Sequence, residues 1–199
     1  NHSGAITISN ADYSVAQLKV INAGSSGAIT LTTPTTALSD TSSNLAVALN
    51  GTTDHNAAVT VTNADYTAAE LATINNGTSG AITLNTTDTA LSGTAANLAA
   101  AFAGTVTEHT GTVTITDAPS VTELKAINAG TTGAITLDVT NGALSGNAAD
   151  LVSAFAGTVT EHTGTVTITD APDVSELKAI NAATTGAITL NVTNGALSG

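Results

Sequence analysis

A repeat of about 53 residues constrains this chain more than any other feature of its sequence. The four histidines lie 53, 54 and 53 residues apart, and each begins the same passage of sequence. The repeats cover residues 2–54, 55–108, 109–161 and 162–199, and the last is truncated. A fixed period of this length is typical of stacked structural units rather than of one globular core. We therefore predict a single solenoid segment over residues 1–199.

Each repeat contains a second, weaker repeat, so the structural unit is about half as long. The pattern T-G-T-V-T-I at residues 110–115 returns as T-G-A-I-T-L at residues 132–137. Equivalent positions alternate between spacings of 22 or 23 and 30 or 31 residues, which we call the short and the long coil. Either length accommodates one strand and one helix.

The strand prediction rests on strict alternation of apolar and polar β-branched residues. In the third repeat, Val113 and Ile115 point to one side of the strand and Thr114 to the other. The same pattern occurs in all eight coils, which predicts eight strands. A helix between consecutive strands leaves no room for hairpins, so neighbouring strands should be parallel.

The short coil should contain a helix that begins at a capping box. Its apolar positions in the third repeat are Val121, Leu124 and Ile127, and Gly130 is expected to end the helix in a left-handed conformation. The four predicted capping boxes are Ser14 with Gln17, Thr67 with Glu70, Ser120 with Glu123, and Asp173 with Glu176.

The long coil should contain a second, Ala-rich helix. Leu144, Ala148, Leu151 and Phe155 recur at helical spacing, and Gly157 should end this helix. The equivalent residues of the second repeat are Leu91, Ala95, Leu98, Phe102 and Gly104.

These patterns predict an α/β fold, a repeat solenoid of strand-helix coils with a parallel β-sheet. Its expected shape looks like a leucine-rich-repeat horseshoe, although the sequence motif of those repeats is missing. The alternative is a β-helix in which the Ala-rich segments form only short, bent loops.

The repeated motifs of the sequence resemble those of a known class of proteins. V-T-I-T-D-A, E-L-K-A-I-N-A and L-S-G-x-A-A-D-L resemble tandem repeats of very large, Ala/Thr/Gly-rich secreted or cell-surface proteins of marine bacteria, cyanobacteria especially. The resemblance covers the whole chain. It implies an extracellular structural or adhesive role and carries over no catalytic residues.

Charge and composition exclude several classes of function. The net charge is −12 with only three basic residues, so a phosphate backbone or an anionic lipid surface would be repelled. The chain has no Cys, and no apolar run is long enough to cross a membrane. We find no nucleophile with a base, no paired carboxylates confined to one site and no phosphate-binding loop, and we expect no enzyme activity.

The histidines and carboxylates favour structural roles over cofactor binding. We expect His2, His55, His109 and His162 to be turn residues before strands. A single histidine beside Glu108 or Glu161 would be at most a weak metal ligand. Asp117 and Asp170 should accept hydrogen bonds from nearby backbone amides. No cofactor is expected. Calcium is kept as a minority alternative, to which Asp12 or Asp65 could contribute, although no known calcium loop is present.

A column of threonines is the candidate interaction face. One Thr occupies the central strand position of every coil, so the eight should form a ladder of hydroxyl and methyl groups. They are Thr7, Thr30, Thr60, Thr83, Thr114, Thr136, Thr167 and Thr189. The ladder is either an ordinary solvated strand face, as β propensity alone predicts, or a surface that packs against a partner sheet, a glycan or ice.

The leading functional hypothesis is a structural segment of an extracellular filament, sheath or adhesin stalk. The repeats would stack head to tail, with other copies of the chain as partners and a surface glycan as a further candidate partner. Strand edges at the two ends should make isolated chains associate, and salt should promote this by screening their charge. The alternative is an ice- or glycan-binding solenoid that uses the threonine ladder.

Overall fold

A computed structural model describes residues 1–53 and 55–191 of the chain. Short strands alternate with helices, and the strands pair in parallel. The predicted α/β class is confirmed. The end of the predicted fourth repeat, from residue 192 onward, lies outside the described residues.

The chain divides into two compact units, and the first comprises Asn1–Thr89 and Ala100–Glu108. Its strands form two parallel sheets, in the orders β1-β2-β4 and β3-β5-β6. The elements are β1 (Ile6–Ile8), α1 (Val15–Gly24), β2 (Ile29–Leu31), β3 (Leu38–Asp40), α2 (Ser42–Leu49), β4 (Thr52–Thr53), β5 (Val59–Val61), α3 (Ala68–Gly77) and β6 (Ile82–Leu84).

The second unit comprises Ala90–Ala99 and His109–Gly199. Its sheets have the orders β7-β8-β9 and β10-β11-β12. The elements are β7 (Leu91–Gly93), β8 (Val113–Ile115), α5 (Val121–Gly130), β9 (Ile135–Leu137), β10 (Leu144–Gly146), α6 (Ala148–Ala154), β11 (Val166–Ile168), α7 (Val174–Ala183) and β12 (Ile188–Leu190). Helix α4 (Ala95–Ala101) has residues in both units.

The eight predicted strands are all present, as β1, β2, β5, β6, β8, β9, β11 and β12. Their alternation works as expected: in β8, Val113 and Ile115 are fully buried, whereas Thr114 between them is partly exposed. Apolar β-branched residues therefore supply the sheet side of the core.

Three of the four other strands, β3, β7 and β10, precede the long-coil helices, and the sequence pattern predicted the residues of β7 and β10 as the start of those helices. That prediction is wrong for Leu91 and Leu144, which lie on strands. Leu144 pairs with Val166 in the neighbouring strand, and helix α6 begins only at Ala148. The N-cap Asn147 accepts a hydrogen bond from the amide of Asp150 and fixes that start.

The predicted capping boxes are confirmed in all four short-coil helices, α1, α3, α5 and α7. The long-coil helices α2, α4 and α6 are helices rather than the bent loops of the β-helix alternative. Gly104 and Gly157, which were predicted to end α4 and α6, follow these helices in the left-handed conformation, with φ of +69° and +71°.

Gly130 does not form the predicted left-handed cap. It is the last residue of α5, and Thr131 follows it in extended conformation with φ of −140°. At the equivalent Gly77, a Cβ would lie 2.6 Å from the carbonyl oxygen of Leu49. The glycine there permits close approach of α3 to the preceding helix rather than a turn of the backbone.

The core is thin and lies between each strand and the helix of its coil. Consecutive helices also pack, as seen for α1 with α2, α2 with α3, α5 with α6, and α6 with α7. Leu18, Leu71, Leu124 and Leu151 are fully buried in these contacts. Small residues elsewhere in the helices allow this close packing.

Glycine sets the backbone separation at the start of each long coil. A Cβ added at Gly133 would overlap the carbonyl oxygen of Gly111 in the preceding coil, and Gly27, Gly80 and Gly186 face the same obstacle. These four positions therefore require glycine for space, independently of its backbone conformation.

Candidate functional site

The predicted threonine face is present as short rows rather than as one ladder of eight. Predicted neighbours lie in register within each pair of coils, as Thr7 with Thr30 and Thr114 with Thr136 show. The other two such pairs are Thr60 with Thr83 and Thr167 with Thr189. We call these residues and their neighbours in register the threonine rows.

Each threonine row is three strands wide, because a new sheet begins within each long coil. Thr114 pairs on its other side with Ser92, and Thr167 with Ser145. Thr60 likewise pairs with Ser39, while Thr30 pairs with Thr53. The predicted ladder is thus correct within each pair of coils and wrong between one pair of coils and the next, where these threonines have other partners.

The threonine rows are accessible to a partner. Thr7, Thr83, Thr136 and Thr189 are exposed, and Thr30, Thr60, Thr114 and Thr167 are partly exposed. The rows present hydroxyl and methyl groups on the side of the sheet opposite to the core. Chemically, such a row can accept and donate hydrogen bonds but carries no charge.

The histidines precede strands, as predicted, but they are bridge residues rather than turn residues. Each forms an isolated parallel bridge with a Ser or Thr of the next coil, and three are buried: His55, His109 and His162 are 1 %, 0 % and 2 % exposed. Only His2, in the first coil, is exposed.

Both ring nitrogens of His55 and His162 have hydrogen-bond partners. Nδ1 of His55 lies 2.7 Å from the Thr78 hydroxyl, and Nε2 lies 3.0 Å from the carbonyl oxygen of Thr36. In His162 the corresponding partners are Thr184 at 3.3 Å and the carbonyl of Gly142 at 2.7 Å. Because a carbonyl can only accept, Nε2 carries a proton in both rings.

Burial lowers the pKa of His55, and the carbonyl of Thr36 offsets this only in part. Desolvation disfavours the charged imidazolium, so the ring stays neutral at pH 7. A neutral ring whose two nitrogens are both hydrogen-bonded has a structural role, because it connects neighbouring coils. It has no free lone pair to offer a metal.

The aspartates that end two strands hold the next helix rather than an ion. Asp117 accepts a hydrogen bond from the backbone amide of Ala95 at 2.7 Å, and Asp170 does the same for Ala148 at 2.8 Å. The predicted role as acceptors of backbone amides is confirmed. The amide donors, however, begin helices α4 and α6, 22 residues earlier in the chain.

Three further aspartates also accept hydrogen bonds from residues close to them in the sequence. Asp65 accepts from the Asn63 side chain at 2.6 Å, and Asp12 from that of Asn10 at 3.3 Å. Hydrogen bonds from the Glu176 amide and the Ser175 hydroxyl hold the pKa of Asp173 below its usual range. Among residues 1–53 and 55–191, no three His, Asp or Glu side chains are grouped so that they could hold a metal ion.

A set of side chains that was not predicted joins the short-coil helices α1, α3 and α5 to the long-coil helices that follow them. The amide of Asn128 donates to the carbonyl of Ser153 at 2.8 Å, and Lys125 forms an ion pair with Asp150. This ion pair lowers the pKa of Asp150. The recurrence of Asn at 22, 75, 128 and 181 was the available signal.

Comparison with known proteins adds no assignment, since no family model, curated protein or solved structure matches the chain. In the described part of the chain, none of the helices is both long and apolar enough to span a bilayer.

Proposed function

We propose that this chain is a structural repeat segment of an extracellular filament, sheath or adhesin stalk, in which coils stack head to tail as an α/β solenoid. The observation that carries the proposal is the recurrence of the same inter-coil contacts. The glycine contact at Gly27 returns at Gly80, Gly133 and Gly186, and the histidine bridge returns in every repeat. Contacts that join only neighbouring coils can be extended without limit.

The sequence resemblance to tandem repeats of large secreted or cell-surface proteins of marine bacteria supports an extracellular location. The partners in this proposal are further repeats of the same kind, with a surface glycan as a possible second partner. Nucleic acid and membrane insertion form no part of it, given the net charge of −12. The side chains that recur in every repeat already have structural tasks, so we propose no catalytic role.

Electron microscopy of the purified chain, combined with sedimentation at low and high salt, tests this function. We expect elongated particles or fibres, and larger species at high salt because the repulsion between acidic chains is then screened. Compact monomers that do not change with salt would contradict assembly between chains and leave covalent repeat length as the only route to a filament.

The threonine rows favour an alternative, binding of ice or a glycan. Uncharged hydroxyl and methyl groups in parallel register form a regular surface, with neighbouring strands about 4.8 Å apart. The rows are nevertheless only three strands wide, which limits the area that a crystal lattice or an extended glycan could match. Measurement of thermal hysteresis and of glycan binding separates this alternative from a purely structural role.

A further inference from the structure

The outer face of helix α7 has the features of an unfilled contact between coils. Val174 and Leu190 are 47 % and 42 % exposed. Their equivalents one repeat earlier, Val121 and Leu137, are 6 % and 3 % exposed. Helix α6 and strand β10 both pack on α5, and Gly146 of β10 lies next to Val121. We call the surface formed by Val174, Leu177, Lys178, Asn181, Ile188 and Leu190 the α7 face.

The same polar contacts mark every place where a long-coil helix follows a short-coil helix. Asn22 donates to the carbonyls of Val47 and Asn50, and Asn75 donates to those of Ala100 and Ala103. Asn128 completes the series with the carbonyl of Ser153. Each amide thus adds a hydrogen bond at the end of a long-coil helix, where the carbonyls lack the regular partners of the helix interior.

A lysine three residues before the asparagine adds a second contact in two of these places. Lys19 donates to the side chain of Asn44, and Lys125 pairs with Asp150. In α7, Lys178 and Asn181 occupy the equivalent positions, and neither has a hydrogen-bond or ion-pair partner in the described part of the chain. The α7 face therefore presents a cation, an amide donor and an apolar floor in the arrangement that α5 uses to hold α6.

We propose that the α7 face is a docking site for one kind of partner, an Ala-rich helix of the α6 type. That helix would place an acidic or amide side chain against Lys178 and its last carbonyls against Asn181. This inference rests on the proposed function, because it specifies which element continues the stack.

The outer side of α1 does not fit that description. It is lined by Ala16, Gln17, Val20 and Ile21, none of which is acidic. Helix α1 is also a short-coil helix, and a short-coil helix can contact long-coil helices on both sides. Helix α3, for example, packs against α2 and also contacts the carbonyls of Ala100 and Ala103, at the end of α4. Two copies placed end to end would thus join two short-coil helices, without the pairing that α5 makes with α6.

The test extends the full chain after Gly199, which is equivalent to Gly146, with a copy of residues 147–161. Hydrogen exchange of the α7 amides is compared with that of α5 in the same molecule. We expect exchange in α7 to slow by about tenfold or more, toward the rates in α5. A matched control carries a copy of residues 14–24, the α1 type, and should leave exchange in α7 close to that of the parent chain.

Charge reversal tests the polar part of the contact. Lys178→Asp in the extended chain should speed exchange in α7, and changing the added aspartate, the equivalent of Asp150, to Lys in the same molecule should restore much of the protection. No protection by the α6-type extension, or equal protection by both extensions, would overturn the proposal. Fibres are scored separately, so protection of α7 without fibres would refute assembly while leaving this docking site intact.

Discussion

Nδ1 of His55 lies 2.7 Å from the hydroxyl oxygen of Thr78, a residue of the next coil. That hydroxyl also accepts a hydrogen bond from the amide of Gly80 at 3.0 Å. The arrangement connects a buried ring, a side chain and the backbone of two coils, and burial favours the neutral form of the ring by lowering its pKa. The charge state of this histidine is therefore linked to the stability of the fold.

We predict that the chain loses stability on acidification. The pKa of His55 is lowered in the folded state, so below the ordinary value of about 6.5 the unfolded chain binds more protons. This contribution is fully present above about pH 6.5 and is lost as the pH falls through that value toward the lowered pKa. Urea unfolding at pH 8, 7, 6 and 5 measures the effect.

Two variants assign the pH dependence. His55→Gln should reduce stability at pH 8 and flatten its decline between pH 7 and pH 5, whereas His2→Gln should change neither, because His2 is exposed. Equal pH slopes in the parent chain and in His55→Gln would contradict the assignment to His55.

Gly133→Ala should destabilise the chain by roughly 1–3 kcal/mol or more, because the added methyl overlaps the carbonyl oxygen of Gly111 and forces the coils apart. Gly24→Ala is the matched control. It ends helix α1 with no other atom within 4 Å of the new methyl, and it should stabilise by about 0.5 kcal/mol. Thermal unfolding of both variants would show opposite shifts, and shifts of the same sign would refute the steric account.

Leu151→Ala should cost about 2–5 kcal/mol, since Leu151 is fully buried and its removal leaves a cavity in a thin core. Thr114→Val, on the outer side of a strand, should cost little. The comparison is made by urea unfolding monitored by circular dichroism, with mixed helix and strand signal expected from the folded parent. Similar losses in both variants would mean that Thr114 is not on the solvent side of its sheet.

For the threonine rows, we expect the parent chain to show no thermal hysteresis, because each row ends after three strands. Should hysteresis be found, replacing Thr83, Thr114 and Thr136 by Lys ought to abolish it without altering the circular dichroism spectrum, since these side chains point away from the core. That result would favour the ice-binding alternative.

Local signals in the sequence predicted most of the elements correctly. Ser120 and Glu123 are three residues apart and form their capping box within one turn, so the helix start could be predicted without knowledge of the rest of the fold. Val113 and Ile115 likewise show their buried side through simple alternation.

What the sequence did not reveal depends on partners in other coils. Leu144 lies at helical spacing from Ala148, but its pairing with Val166, 22 residues away, makes it part of a strand. Burial of His109 depends on its neighbours in the fold and not on its local sequence. Asn128 binds a backbone carbonyl, a group that every residue has, so only the recurrence of Asn at one position in each repeat could have indicated this contact.

The asparagine contacts between helices should determine the size of the unit that unfolds cooperatively. Asn22, Asn75 and Asn128 each satisfy carbonyls that belong to the following helix. Losing one short-coil helix therefore removes a hydrogen bond from the end of its neighbour, and the two should melt as one cooperative block. Unfolding would then proceed one whole repeat at a time. A chain under tension would therefore lengthen in equal increments, each releasing about 53 residues.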